Sequence, residues 1–228
     1  MPLYNVDEPR ELIDFTSESP LATWNELKAN SDVNNSVKRA AFIKTGGLCI
    51  YCEHKLIPKI DYQIEHFHPK LGNDNSEFGD GVPNRAIEWL NLFPGCLGGT
   101  ARKTDFTSEV DHTKRTGANR KNQSCGQRKK DKPVENNFIP LELLSNDRSI
   151  FKFNGSDGSI SVDEQVCGAL GVDVRLASKH SQELNLDSKR LRGIREKFSS
   201  ILESEFNKAF EFAPNDLEGL INEWLALR

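Results

Sequence analysis

Two cysteines three positions apart, Cys49-x-x-Cys52, constrain this chain more than any other feature. The spacing puts two thiolates on one tight turn, a soft-metal clamp of the kind that builds structural zinc sites. Thirteen residues beyond Cys52 stands Glu65-His66, after the alternation Ile60, Tyr62, Ile64 that predicts a short strand. A carboxylate and an imidazole at a strand end suit a different chemistry, a hard divalent cation and a general base. The stretch Gly47 to Lys70 holds both, and the rest of the chain is expected to be organised around it.

A chain of 228 residues can bury roughly 70–75% of its unfolded surface, so it needs no disulfide framework to fold. Its five cysteines, an odd number, fit reduced thiols that partly hold metal. The N-terminal residues are acidic and lack an apolar run, so no secretory signal is expected, and no stretch of eighteen apolar residues predicts a membrane span. The expected compartment is cytoplasmic. A net charge of −4 argues against a nucleic-acid coat protein, but the average hides a patch. Residues 97–132 carry ten basic side chains against four acidic ones.

Three regions are expected. Residues 1–43 read as a helical lead, irregular up to about Pro20, with one helix starting at Ser19-Pro20 and a second capped by Ser31-Asp32. Residues 44–145 form the metal core, with a hairpin from Leu48 to about Ile64 whose first turn carries the cysteine pair. A polar loop reaches Pro83, Asn84 caps a short helix or turn ending at Pro94, and a basic insert closes with a short helix after Cys125. Residues 146–228 read as a hairpin around Asn154-Gly155 to Gly158 and then amphipathic helices, the last from Leu217 to Leu227 beyond Pro214. Helices flanking a small, hairpin-rich metal centre make the class α+β.

Cys96 and Cys125 can complete a four-thiolate zinc site with Cys49 and Cys52, though each taken singly also reads as a buried apolar thiol. Cys167, in an apolar run without a partner, reads only as the latter. Glu65-His66 has a plain reading, a surface carboxylate beside a packed histidine. It also has a catalytic one, in which a neutral imidazole takes a proton from water and the carboxylate holds a cation, the pairing that metal-assisted phosphodiester hydrolysis requires. His54, His112 and His180 read as surface residues. The basic insert is either a solvated loop or a phosphate-contacting arm, with Arg128, Lys129 and Lys130 as its nucleic-acid contacts.

In order and spacing, Cys-x-x-Cys, Ile64-Glu-His-Phe-His-Pro-Lys70, Trp89-Leu-Asn-Leu, Cys96 and Cys125-x-x-x-Lys129 resemble the HNH nuclease family. The resemblance implies a ββα-metal core over roughly residues 44–132, flanked by N- and C-terminal helices. It makes His66 the base, Glu65 a ligand of catalytic Mg2+ or Mn2+, and Asn91 the residue that holds the base's hairpin. Zn2+ would be structural. The same motifs, with Leu184 to Arg195, are similar to the PtuB nuclease subunits of Septu-type and retron-associated antiphage systems. That narrower likeness implies an ATPase partner of the PtuA type, a retron reverse transcriptase with its RNA/DNA, and DNA or RNA as substrate. The chain departs from the family where a metal-binding side chain usually follows the last cysteine: Gly126 stands there, which leaves Gln127, His68, Asp131 or water to complete the catalytic metal shell, with Gln127 and His68 as the further candidate ligands. The rival reading is a zinc-dependent module that binds nucleic acid or a partner without cutting.

Overall fold

A computed structural model describes residues 3–70, 84–100, 120–144 and 149–212, and the side chains within them up to residue 204 with the exception of residue 120. The predicted loop to Pro83, most of the basic insert, His112 and the Leu217–Leu227 helix lie outside the described residues.

Three helices lead the chain, α1 (Arg10–Glu18), α2 (Trp24–Ala29) and α3 (Ser31–Lys44). The first corrects the expectation of an irregular start: Pro9 sits at its N-cap, where a missing N–H costs nothing. The second begins at Trp24 rather than at Pro20, because Thr23 and Glu26 form a reciprocal capping box. Asn30, not Ser31 or Asp32, caps α3 by accepting from the Val33 N–H. Leu12, Leu27, Val33, Val37 and Ala41 from these helices form one apolar cluster with Ile87, Trp89 and Leu92.

Strands β1 (Gln63–His66) and β2 (Leu92–Gly95) pair antiparallel, Glu65 opposite Phe93 and His66 opposite Leu92. This corrects the predicted hairpin from Leu48 to Ile64, which is reduced to the isolated bridges Leu48–Lys55 and Ile57–Asp61. The cysteine turn closes on itself, Cys49 N–H to the His54 carbonyl and Glu53 N–H to that of Cys49. It then joins β2 through Ile50 N–H to the Pro94 carbonyl. A single 3-10 turn, Trp89–Asn91, leads into β2, and Asn84 accepts from Ala86 N–H at the start of that segment.

Beyond the insert come α4 (Gly126–Lys129) and α5 (Leu141–Leu144), then the hairpin β3 (Phe151–Phe153) and β4 (Ile160–Val162) where it was expected. Helices α6 (Glu164–Leu170), α7 (Val174–Glu183) and α8 (Lys189–Phe212) follow. Leu184, Leu186 and Leu191 pack with Cys49, Cys96, Cys125, Phe67 and Phe93, so the start of α8 seats on the cysteine turn. The architecture is mixed helix and small sheet, in agreement with the α+β reading. Among the described residues no helix is long and apolar enough to cross a membrane.

Candidate functional site

The four cysteines converge from three separate segments. The ligand atoms of Cys49, Cys52, Cys96 and Cys125 all lie within 4.8 Å of one another, and none forms a disulfide. Tetrahedral thiolates at ~2.3 Å from a metal ion stand a little under 4 Å apart, and Cys52 and Cys96 are 3.9 Å apart. The donor set can therefore hold a metal ion. Cys125 takes φ +56°, a strained conformation for a residue with a Cβ, directly before Gly126. Cys167 is fully buried and outside the group.

Glu65 stands on the side of β1 that faces these cysteines. Strand alternation puts Gln63 on the same face, and its amide donates to Glu65 Oε1 at 2.6 Å and to the Cys96 carbonyl at 3.1 Å. Two glycines wall the carboxylate. A Cβ built on Gly95 would overlap the Glu65 stem, and one built on Gly126 would overlap the carboxylate itself. Gly126 is thus no simple loss of a ligand; any side chain there would occupy the space that Glu65 fills. Burial raises the carboxyl pKa to about 7, against the pull of Lys129, the Gln63 hydrogen bond and Lys70. The Tyr51 hydroxyl, within electrostatic reach of Glu65, Cys49 and Cys125, is buried and has no hydrogen-bond partner among the described residues.

His66 leaves the opposite face of the strand, toward the N-terminal helices. Its ring meets Trp24 edge-on, centroids 4.8 Å apart. Its Nε2 lies 3.0 Å from the Ala86 carbonyl, which can only accept, so Nε2 carries the hydrogen and Nδ1 keeps its lone pair. Burial lowers the pKa to about 4, opposed by the Ala86 bond and assisted by Lys70 and Lys129, so the imidazole is neutral at pH 7. Lys70, Lys129 and Asp131 act electrostatically on both Glu65 and His66.

Asn91 is buried and ties two segments together. Its Oδ1 accepts from His68 N–H at 2.6 Å, and its amide donates to the carbonyls of His68 and Arg85 at 3.0 and 2.7 Å. The backbone just after His66 is thereby fixed to the turn that also carries Ala86. His68 packs edge-on against Phe67, and its Nδ1 is buried with no partner among the described residues. Gln127 is placed with its stem against Gly98.

Two expectations are corrected here. Lys129 is only 1% exposed: its ammonium donates to the His66 carbonyl at 3.1 Å and lies 5.7 Å from the Phe138 ring centroid. It fills a place inside the fold, so only Arg128 and Lys130 of the three predicted contacts face solvent. His180 is also not a surface residue. It is 1% exposed, between Phe138 and Phe151, and its Nδ1 accepts from Ile139 N–H at 3.1 Å. His54 is half-buried.

Sequence reasoning missed Gln63, Trp24, Tyr51 and Arg190. Gln63 had a signal, its two-residue offset from Glu65 in a strand. Trp24 and Arg190 are brought in from distant helices and had none.

No protein-family model matches the chain. It is 27% identical over 238 residues, 95% of this chain and 84% of the other, to the Escherichia coli protein named "Retron Ec83 putative HNH endonuclease". It is also 27% identical over 134 residues to "Retron Vc95 putative HNH endonuclease" of Vibrio cholerae serotype O1 biovar El Tor. That second match takes in 58% of this chain and about half, 53%, of the relative. The likeness to the first of these relatives therefore runs along nearly the whole chain.

Proposed function

We propose that the chain is a metal-dependent HNH endonuclease that hydrolyses nucleic-acid phosphodiester bonds, with the cysteine turn, β1, β2 and α4 as its ββα-metal core. The observation that carries this reading is the state of His66: a neutral imidazole, its Nε2–H given to the Ala86 carbonyl and its Nδ1 keeping the lone pair, next in sequence to a carboxylate walled by two glycines. A buried side chain with a depressed pKa at such a place is in the form a general base needs.

Glu65 and His66 leave β1 on opposite faces, so a phosphodiester lying across the strand end would reach both. His66 Nδ1 takes a proton from a water molecule; the resulting hydroxide forms a bond to phosphorus, and the bond to the leaving oxygen breaks. Lys129 and Asn91 hold the backbone from the His66 carbonyl to His68, and Trp24 packs edge-on against the imidazole. Glu65 would hold Mg2+ or Mn2+, which when bound neutralises charge on the phosphate and leaving oxygen. Of the two further candidate ligands, His68 has the free buried nitrogen. Zn2+ in the four-cysteine site would keep the turn folded. Arg128 and Lys130, solvent-facing beside α4, would contact phosphates. The retron names of the relatives support an antiphage role within a retron system; in this reading the chain works in the cytoplasm, is aimed or restrained by a PtuA-like ATPase, and acts with a retron reverse transcriptase and its RNA/DNA.

The test is cleavage of plasmid DNA and total RNA with Mg2+ or Mn2+, with and without EDTA and with and without the partner proteins. Wild type should cut and His66→Ala should not, with zinc content and melting temperature unchanged. Equal cutting by the two would remove His66 from the mechanism, and no cutting by wild type in the full complex would favour the binding-module reading.

A further inference from the structure

Arg190 opens the second residue of α8, and its guanidinium is buried, only 7% exposed, against the four-cysteine site. Its Nη2 lies 3.8 Å from Cys96 Sγ and donates to Ser124 Oγ at 2.7 Å. Ser124 Oγ in turn lies 3.7 Å from Cys125 Sγ. Among the described residues Arg190 makes no ion pair with a carboxylate, and its Nε and Nη1 have no partner. Asp61 is buried within electrostatic reach, but its carboxylate accepts from Leu97 N–H at 2.6 Å. Arg195, one turn further along, differs: its two terminal nitrogens donate to the carbonyls of Gly158 and Leu186.

A buried guanidinium with two empty donors is costly unless anionic charge faces it. Four neutral thiols do not supply that charge. Four thiolates around a divalent cation do, because the group then carries a net charge of −2. In that state the Ser124 hydroxyl, which accepts from Arg190, can turn its own hydrogen to the Cys125 thiolate and complete a relay from guanidinium to sulfur. Resting on the reading of the cysteines as a zinc site, we propose that Arg190 is the counter-ion of the loaded site, and that zinc occupancy and the docking of α8 are one coupled state. The contacts around it agree: Leu191 is buried in the cysteine cluster, and Cys125 N–H donates to the Leu184 carbonyl at 2.9 Å.

The experiment uses the full chain and reads metal and backbone protection, not cleavage. Zinc per chain is measured by mass spectrometry, and zinc release to a chromogenic chelator is timed for wild type, Arg190→Lys, Arg190→Met and the surface control Arg128→Met. Partners of metal ligands typically change metal affinity by ~10–100-fold. Release should therefore quicken by about that factor in Arg190→Met, less in Arg190→Lys, and not at all in Arg128→Met. Should Arg190→Met not fold, hydrogen exchange on wild type still decides. Chelator should strip protection from residues 189–204 before it touches α1–α3. Unchanged release in a folded Arg190→Met, or α8 amides that outlast those of α1–α3, would overturn the coupling. Wild type purified without zinc would instead remove the zinc reading on which it rests.

Discussion

The cluster formed by Leu12, Leu27, Val33, Val37 and Ala41 is packed from apolar side chains, with one buried ammonium, Lys44, answered at its edge by the Trp89 and Leu92 carbonyls, whereas the cluster across β1 and β2 is built around three buried thiols. The first is sustained by ordinary burial and by helices with their own caps at Thr23 and Asn30. The second also buries Arg190, Lys129 and Ser124, groups that cost free energy unless something charged or polar answers them. Strand β1 serves both sides. Ile64 and His66 face the helices, and Gln63 and Glu65 face the cysteines. Under the proposed function the difference keeps two chemical roles apart: the base would sit on the mainly apolar side, and the cation ligand on the polar side that the metal of the cysteines would complete.

The sharpest way to break this comparison is to damage each side in turn. Cys49→Ser should abolish zinc binding and unfold the cysteine side, since structural zinc contributes on the order of 10 kcal/mol in small zinc domains. Leu27→Ala should cost about 2–5 kcal/mol in urea unfolding yet leave zinc content at the wild-type level. Normal zinc in Cys49→Ser, or lost zinc in Leu27→Ala, would show that the two sides are not independent in this way.

Acid should act through His180, whose pKa burial lowers to about 3. The folded protein holds this imidazole neutral, while the unfolded chain takes up a proton below about pH 6.5. The stability it contributes is thus complete above pH 6.5 and is lost as pH falls toward 3, on the order of 5 kcal/mol in all. His180→Gln, which keeps an acceptor for Ile139 N–H, should flatten that slope in urea titrations run from pH 7 to 4; an unchanged slope would assign acid sensitivity elsewhere.

A finer cut is Gly126→Ala. The added methyl would push the Glu65 carboxylate from its place, and displacements of about 1 Å at reacting groups can cost ~100-fold in rate. Cleavage should fall by about that factor, with zinc content and stability little changed. Full activity would mean that Glu65 need not sit where it does.

Much of this was legible because the informative residues carry their chemistry in their spacing. Cys49-x-x-Cys52, the hairpin at Asn154–Gly158 and the amphipathic run of α8 are local patterns, and each is present in the structure. The strand pairing was not legible. β1 finds its partner well further along the chain, at Leu92–Gly95, and nothing in the alternation of Ile60, Tyr62 and Ile64 names that partner. Lys129 and His180 misled for a related reason: a charged or titratable residue is exposed by default, and only tertiary neighbours, the His66 carbonyl for one and Ile139 N–H for the other, explain their burial. Gly126 read as a missing ligand, while its meaning lies in the Glu65 side chain it makes room for.

The central claim is that two metal sites share the work, one structural in the cysteines and one chemical at Glu65. It is tested most directly by counting both in the same samples, zinc by mass spectrometry and bound Mn2+ by electron paramagnetic resonance titration, for wild type, Glu65→Gln and His66→Ala. All three should hold one zinc per chain; wild type and His66→Ala should bind Mn2+, and Glu65→Gln should lose it. Mn2+ bound equally well by Glu65→Gln would contradict the account.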